Sequence, residues 1–185
     1  MLVIEFLGGP GCAKTTTSVA LYSKLKRKSN ISGLDFAREG AQHLIHVGCA
    51  HKLNNQLTIV AEEYDRLLNM KEQGCKILIT DTSLLLTKIY GRNSGFYEPL
   101  LEVIEKIREQ FIFKSILIER VKPFVQYGRI HNEEESIQID KEIKELCGPF
   151  DLIIPGDDKG IKILYKEVKK WIENLEGKEN NVKKS

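Results

Sequence analysis

The sequence predicts an α/β domain of three layers, a five-stranded parallel sheet flanked by helices with a lid after the fourth strand. Two observations carry this prediction. Apolar runs of strand length alternate with stretches of helical periodicity, as parallel strands joined by crossover helices require. A glycine-rich loop, Gly8-Gly9-Pro10-Gly11-Cys12-Ala13-Lys14-Thr15, separates the first such run from the first helical stretch.

Taken in order, Leu2–Leu7 is a continuous apolar run ending on glycines, so it reads as a buried strand. Thr15–Lys28 follows as a helix with Val19, Tyr22 and Leu25 on one face. Ile31–Phe36, interrupted by Gly33, is a weaker second strand ending near Asp35. A helical stretch is expected from Ala37 and a loop around Gly48–Asn54. Leu57, Val60, Tyr64 and Leu67 then keep helical spacing up to Gly74. Lys76–Thr80 is the third strand, ending on Asp81. Leu84–Tyr90 begins a helix, and Leu100, Ile104, Ile107 and Phe111 mark another after Pro99. Phe113–Ile118 is the fourth strand. Ile139, Ile143 and Leu146 mark a helix stopped by Gly148-Pro149. Leu152–Ile154 is the fifth strand, and Leu164, Val168, Trp171 and Leu175 form a last amphipathic helix. Residues 1–176 therefore read as one domain, with a lid at about 121–135, and residues 177–185 as a disordered polar tail.

Composition bounds the partners. The 28 Lys and Arg against 26 Asp and Glu leave a formal charge of +2, too small a field for an obligate polyanion binder. No apolar run approaches the ~20 residues of a membrane span, so no membrane partner is expected. Met1–Leu7 lacks a basic leader, and the four cysteines (Cys12, Cys49, Cys75, Cys147) show no paired spacing. A cytoplasmic protein with free thiols is the expectation.

The loop carries the chemistry. Glycines let the backbone fold so that its N–H groups point at phosphate oxygens, and the following helix adds the positive end of its dipole. Gly9, Gly11, Cys12, Ala13, Lys14, Thr15 and Thr16 are thus expected to bind ATP. Lys14 would reach the terminal phosphates, and the Thr15 hydroxyl would hold Mg²⁺. Ala13 stands where a glycine usually precedes the lysine, and its methyl disfavours positive φ. Cys12 is a spacer, or a thiol made acidic by the neighbouring helix amides.

No Asn-Lys-x-Asp guanine-reading motif appears, and Asp81 is followed by Thr82 rather than by a second acid. A small kinase that works by positioning and charge neutralisation remains. Its working groups belong at the carboxyl ends of the strands. Asp35 is either a general base that orients the acceptor hydroxyl or a helix cap. Arg38 either binds an acceptor phosphate or is solvated. Asp81 is Mg²⁺-linked or acceptor-binding, the alternative being a cap. In the candidate lid, Arg120 and Arg129 either close on the phosphates or pair with Glu133–Glu135, and Arg129 is the better finger. Lys122 adds a third cation. Pro155-Gly156-Asp157-Asp158 sits where the base of ATP would lie.

The segments GGPGCAKTT, LDFAR, ILITDTSLLLTKIYG and LIERVKPFVQYGRIHNEEESIQIDKEI together resemble small phage-type P-loop kinases, grouped with a nicotinamide riboside kinase-like, AAA-annotated family. The resemblance spans Leu2 to about Leu175. A partial similarity to polynucleotide 5′-hydroxyl kinases implies Asp35 as base, Arg38 as holder of the acceptor phosphate, and Asp81-Thr82 at the end of the next strand. The resemblance implies an ATP- and Mg²⁺-dependent kinase acting on a hydroxyl of a nucleoside, nucleotide or nucleic acid. A polynucleotide or modified-base DNA kinase is the narrower alternative, and an NTP hydrolase or switch acting on a protein partner the other. A homodimer is left open.

Overall fold

A computed structural model describes residues 1–38 and 47–182. Five strands, β1 (Leu2–Leu7), β2 (Leu34–Ala37), β3 (Ile77–Thr80), β4 (Ile112–Glu119) and β5 (Leu152–Pro155), form one sheet in the order β2-β3-β1-β4-β5. Every pairing is parallel. Among the described residues the helices are α1 (Lys14–Lys28), α2 (Gln56–Glu72), α3 (Thr87–Tyr90), α4 (Tyr97–Arg108), α5 (Glu133–Leu146) and α6 (Asp158–Val182). Short 3₁₀ turns precede α2 and α3, at Ala50–Asn54 and Leu84–Leu86.

The alternation of β1 assigns its two faces. Leu2, Ile4 and Phe6 pack with α1 and α6, through Leu21, Leu25, Leu164, Val168 and Ile172. Val3 packs on the other face with Val60 and Leu67 of α2 and Leu100, Ile104 and Ile107 of α4. Leu7 continues that face toward Ile139 and Ile143 of α5. A strand buried on both faces explains why β1 reads as a nearly continuous apolar run.

One polar residue interrupts it. Glu5 is 1% exposed, and its Oε1 accepts Arg108 Nη1 at 2.6 Å and Ser115 Oγ at 2.5 Å. A buried carboxylate persists only when paired and hydrogen-bonded. The partners come from α4 and β4, so the pair joins three elements under the sheet.

Several expectations are corrected. The second strand begins at Leu34 and runs to Ala37, because Gly33 (φ 72°) turns the chain and its carbonyl takes the N–H groups of Lys76 and Ile77. Ile31 therefore lies outside the strand, before the turn at Ser32 and Gly33. Val19 and Leu57 are exposed; the buried faces are Thr17, Ser18, Leu21 and Leu25 on α1, and Gln56, Val60 and Leu67 on α2. The last helix continues to Val182, into the segment expected as a polar tail. The helical stretch expected from Ala37 falls largely on residues 39–46, outside the described residues. No described helix is long and apolar enough to cross a membrane.

Candidate active site

The register sets the site. With Ala37 opposite Thr80, Thr80 opposite Glu5, and Leu7 opposite Leu117, the carboxyl ends of β1 to β4 gather on one edge of the sheet. Gly8, Arg38, Asp81 and Arg120 follow these strands directly. β3 is the immediate neighbour of β1, so the acid after β3 reaches the start of α1.

That contact is made. The Thr15 hydroxyl donates to Asp81 Oδ2 at 2.6 Å, and Asp81 is 1% exposed. A hydroxyl and a buried carboxylate side by side are hard oxygen donors of the kind Mg²⁺ takes, with phosphate oxygens and water completing its shell. Lys14 Nζ donates to the carbonyls of Gly8 at 2.7 Å and Gly9 at 3.4 Å, folded back along the loop.

Ala13 adopts φ 78° and ψ 25°, the left-handed conformation for which glycine is usually kept. The loop geometry overrides the residue's own preference. Gly11, at φ 81°, has a second constraint: a Cβ there would stand 3.2 Å from Arg129 Nε and 3.3 Å from Arg120 Nη1. Cys12 turns its side chain inward and is 2% exposed within the α1/α6 core. Burial pushes its thiol above the usual range, only partly offset by Lys14. The expectation of an unusually acidic thiol is therefore corrected, and the Cys12 side chain packs in the core beneath the loop.

The segment between β4 and α5 brings two cations to the loop. Arg120 Nη2 donates to the Pro10 carbonyl at 2.9 Å. The guanidinium carbons of Arg120 and Arg129 lie 5.9 and 5.4 Å from the Phe124 ring centroid, within cation–π range. Arg129 also donates to the Val125 carbonyl, which folds the lid onto itself. Neither arginine forms a salt bridge to Glu133–Glu135. Glu135 instead closes a capping box with Asn132 at the start of α5. Lys122 is exposed.

A cavity of about 530 Å³ opens beside the loop, lined by Ala13, Lys14, Thr15, Thr16 and Arg129 on one side. Its far wall is a stripe of α2, Gln56, Ile59, Glu62, Glu63 and Arg66, facing Thr82, Ser83, Leu84, Thr87 and Tyr90. Gln56 is held by a bond from Thr87 Oγ1 at 3.3 Å and by its own donation to the Leu53 carbonyl at 2.7 Å. Arg66 Nη1 bonds Glu63 at 2.9 Å and the Arg38 carbonyl at 3.2 Å. His131, in the segment between β4 and α5, meets Tyr90 of α3 with ring centroids 6.2 Å apart, and both line the cavity.

The structure does not bring Asp35 into this group. It lies opposite Leu78, three positions and so about 10 Å down the sheet from Asp81. Its carboxylate accepts its neighbour's N–H, from Phe36 at 2.7 Å. It also adds to the burial that pushes up the Cys75 thiol, at the amino end of β3. Asp35 is neither a helix cap nor beside the phosphates: β2 extends two residues past it. Arg38 does reach the carboxyl edge, exposed, without lining the cavity. Gly156 donates to the Glu119 carbonyl, and Asp157 accepts Gly160 N–H at 2.9 Å as a cap of α6.

The basic residues at 24–28 also lie elsewhere. They occupy the far half of α1, a helix of 15 residues, about 15–21 Å along its axis from Lys14. There Lys24 sits over Tyr165 and Lys26 over Tyr22, and the cluster complements the negative end of the helix dipole.

A central β1, a phosphate loop at its end, an acid from β3 on the loop threonine and arginines from a lid define a P-loop phosphotransferase. The chain belongs to the AAA_28 family of AAA domains, whose pattern matches residues 3–151. It is 23% identical over 181 residues to a probable thymidylate kinase of Sulfolobus acidocaldarius, across 95% of this chain and 92% of the relative. Among solved structures it is similar to the Mycobacterium tuberculosis APS kinase CysC in complex with AMPPNP and APS. That match has 16% identity and a TM-score of 0.45, covering 92% of this chain and 96% of the other.

Proposed function

We propose that the chain is an ATP-dependent kinase that passes the γ-phosphoryl group to a hydroxyl of a nucleoside, nucleotide or nucleic-acid acceptor. The Thr15–Asp81 contact, with Asp81 buried, is the observation that carries this reading. ATP·Mg²⁺, when bound, supplies the phosphoryl group and a divalent charge against it. The donor set fits that group: a hydroxyl and a carboxylate for the cation, loop amides and Lys14 for phosphate oxygens. Arg129 adds positive charge over Gly11, where charge develops during transfer. The acceptor enters the cavity between the loop and α2. Its size is that of a small-molecule site, and apolar Ile59 and Leu84 beside polar Gln56 and Thr87 suit a base joined to a hydroxyl-bearing sugar. The relative described as a probable thymidylate kinase supports a nucleotide-type acceptor.

Transfer of label from γ-labelled ATP to nucleosides, nucleotides, nicotinamide riboside and oligonucleotides tests the proposal. Label on one of these acceptors is expected. Phosphate release without a labelled acceptor across the panel would favour a hydrolase.

A further inference from the structure

α5 carries a residue that sequence spacing does not mark. Asp140 lies 131 positions from Gly9, yet its Oδ1 accepts the Gly9 N–H at 2.6 Å. Its Oδ2 accepts Arg120 Nε at 2.8 Å. The same guanidinium returns a bond from Nη2 to the Pro10 carbonyl at 2.9 Å. One carboxylate thus receives a donor from the phosphate loop and a donor from the residue that opens the lid. The fit is close: a Cβ on Gly9 would stand 2.6 Å from Asp140 Oδ1 and 2.7 Å from the Ser136 carbonyl.

The remaining nitrogen of Arg120 gives the arrangement its meaning. Nη1 is buried without a hydrogen-bond partner, on a side chain only 13% exposed, and it faces Gly11. A buried donor left unpaired costs free energy, and a free arginine side chain would rotate to relieve it. Asp140 and Pro10 fix the other two nitrogens and prevent that. We propose that Asp140 is a positioning residue of the phosphate site, holding Arg120 and the Gly9 amide so that Nη1 is presented to a phosphate oxygen over Gly11. The inference rests on the phosphotransferase reading above. Because α5 follows the lid, the same carboxylate also ties the lid's far side to the loop.

The test titrates ATP·Mg²⁺ by calorimetry into the full chain, as wild type, Asp140→Asn, Arg120→Lys and the double variant, with melting temperatures measured alongside. Arg120→Lys keeps the charge but loses the three-way fork. Each single variant is expected to weaken ATP binding ~10- to 100-fold, the scale of a misplaced charge-bearing group. The double variant is expected to bind no more weakly than the weaker single variant, since both remove one arrangement. A plain structural tie would lower the melting temperature without this non-additivity. Wild-type affinity in Asp140→Asn, or a double loss equal to the product of the two, would overturn the inference. Should Asp140→Asn fail to fold, Arg120→Lys alone decides, and unchanged affinity there overturns it. A wild-type chain that does not bind ATP overturns the phosphotransferase reading and this inference together.

Discussion

Ala13 occupies the left-handed region, φ 78°, at the position that orients Lys14 and Thr15. A non-glycine residue there costs ~1–2 kcal/mol, part of which a glycine would return as unfolded-chain entropy. Ala13→Gly is therefore expected to raise stability by about 1 kcal/mol, a gain of about 2–4 °C in a thermal melt. The sequence shows that alanine breaks the glycine pattern; only the backbone angles show that the loop bends regardless. Asp35 teaches the converse. Its acid-aromatic-Ala-Arg context suggests a base, but the pairing that Gly33 starts with Lys76 and Ile77 carries β2 two residues further and leaves Asp35 below the edge. Asp35→Asn is accordingly expected to keep near-wild-type label transfer. A hundredfold loss would return Asp35 to the site. The thiols provide a third check. Burial pushes Cys147 up to about 11 and Cys12 above its ordinary value. Both stay protonated in the folded chain at pH 8, and alkylation there should spare them until denaturant is added. Since the unfolded thiol of Cys147 ionises at lower pH than the folded one, its contribution to stability is complete below the ordinary thiol value. That contribution is lost as pH rises toward about 11.

At the scale of elements, the alternation of apolar runs was legible because parallel strands are buried on both faces. β1, β3, β4 and β5 fall within a residue or two of the apolar runs that mark them. Helix faces were less legible, since a spacing of three or four residues fits more than one stripe. On α2 the stripe Gln56, Ile59, Glu63 and Arg66 has the same periodicity as the apolar one, and it forms the cavity wall. Asp140 was illegible for a different reason: its partners are the loop and Arg120, and nothing local signals them. Arg108→Ala leaves Glu5 buried without its charge partner, and denaturant unfolding should show a loss of about 3–5 kcal/mol. Asn132→Ala removes one half of the capping box on α5 and should cost ~1 kcal/mol by the same measurement.

For the molecule as a whole, a formal charge of +2 conceals a segregated distribution. Lys14, Arg120 and Arg129 gather at the phosphate loop, whereas Lys26, Arg27 and Lys28 sit in the last turn of α1, at its opposite end. The sheet order produces this arrangement, since β3 beside β1 delivers Asp81 to Thr15 and β4 on the other side delivers Arg120 to Pro10. In the proposed function the Thr15–Asp81 pair serves phosphoryl transfer from ATP·Mg²⁺. The most direct test compares label transfer from γ-labelled ATP by the wild type and by Asp81→Asn, across the acceptor panel at saturating Mg²⁺. Transfer by the wild type and a loss of roughly 100-fold or more in the variant, with its fold retained, is the predicted result. Equal transfer by both proteins would contradict it.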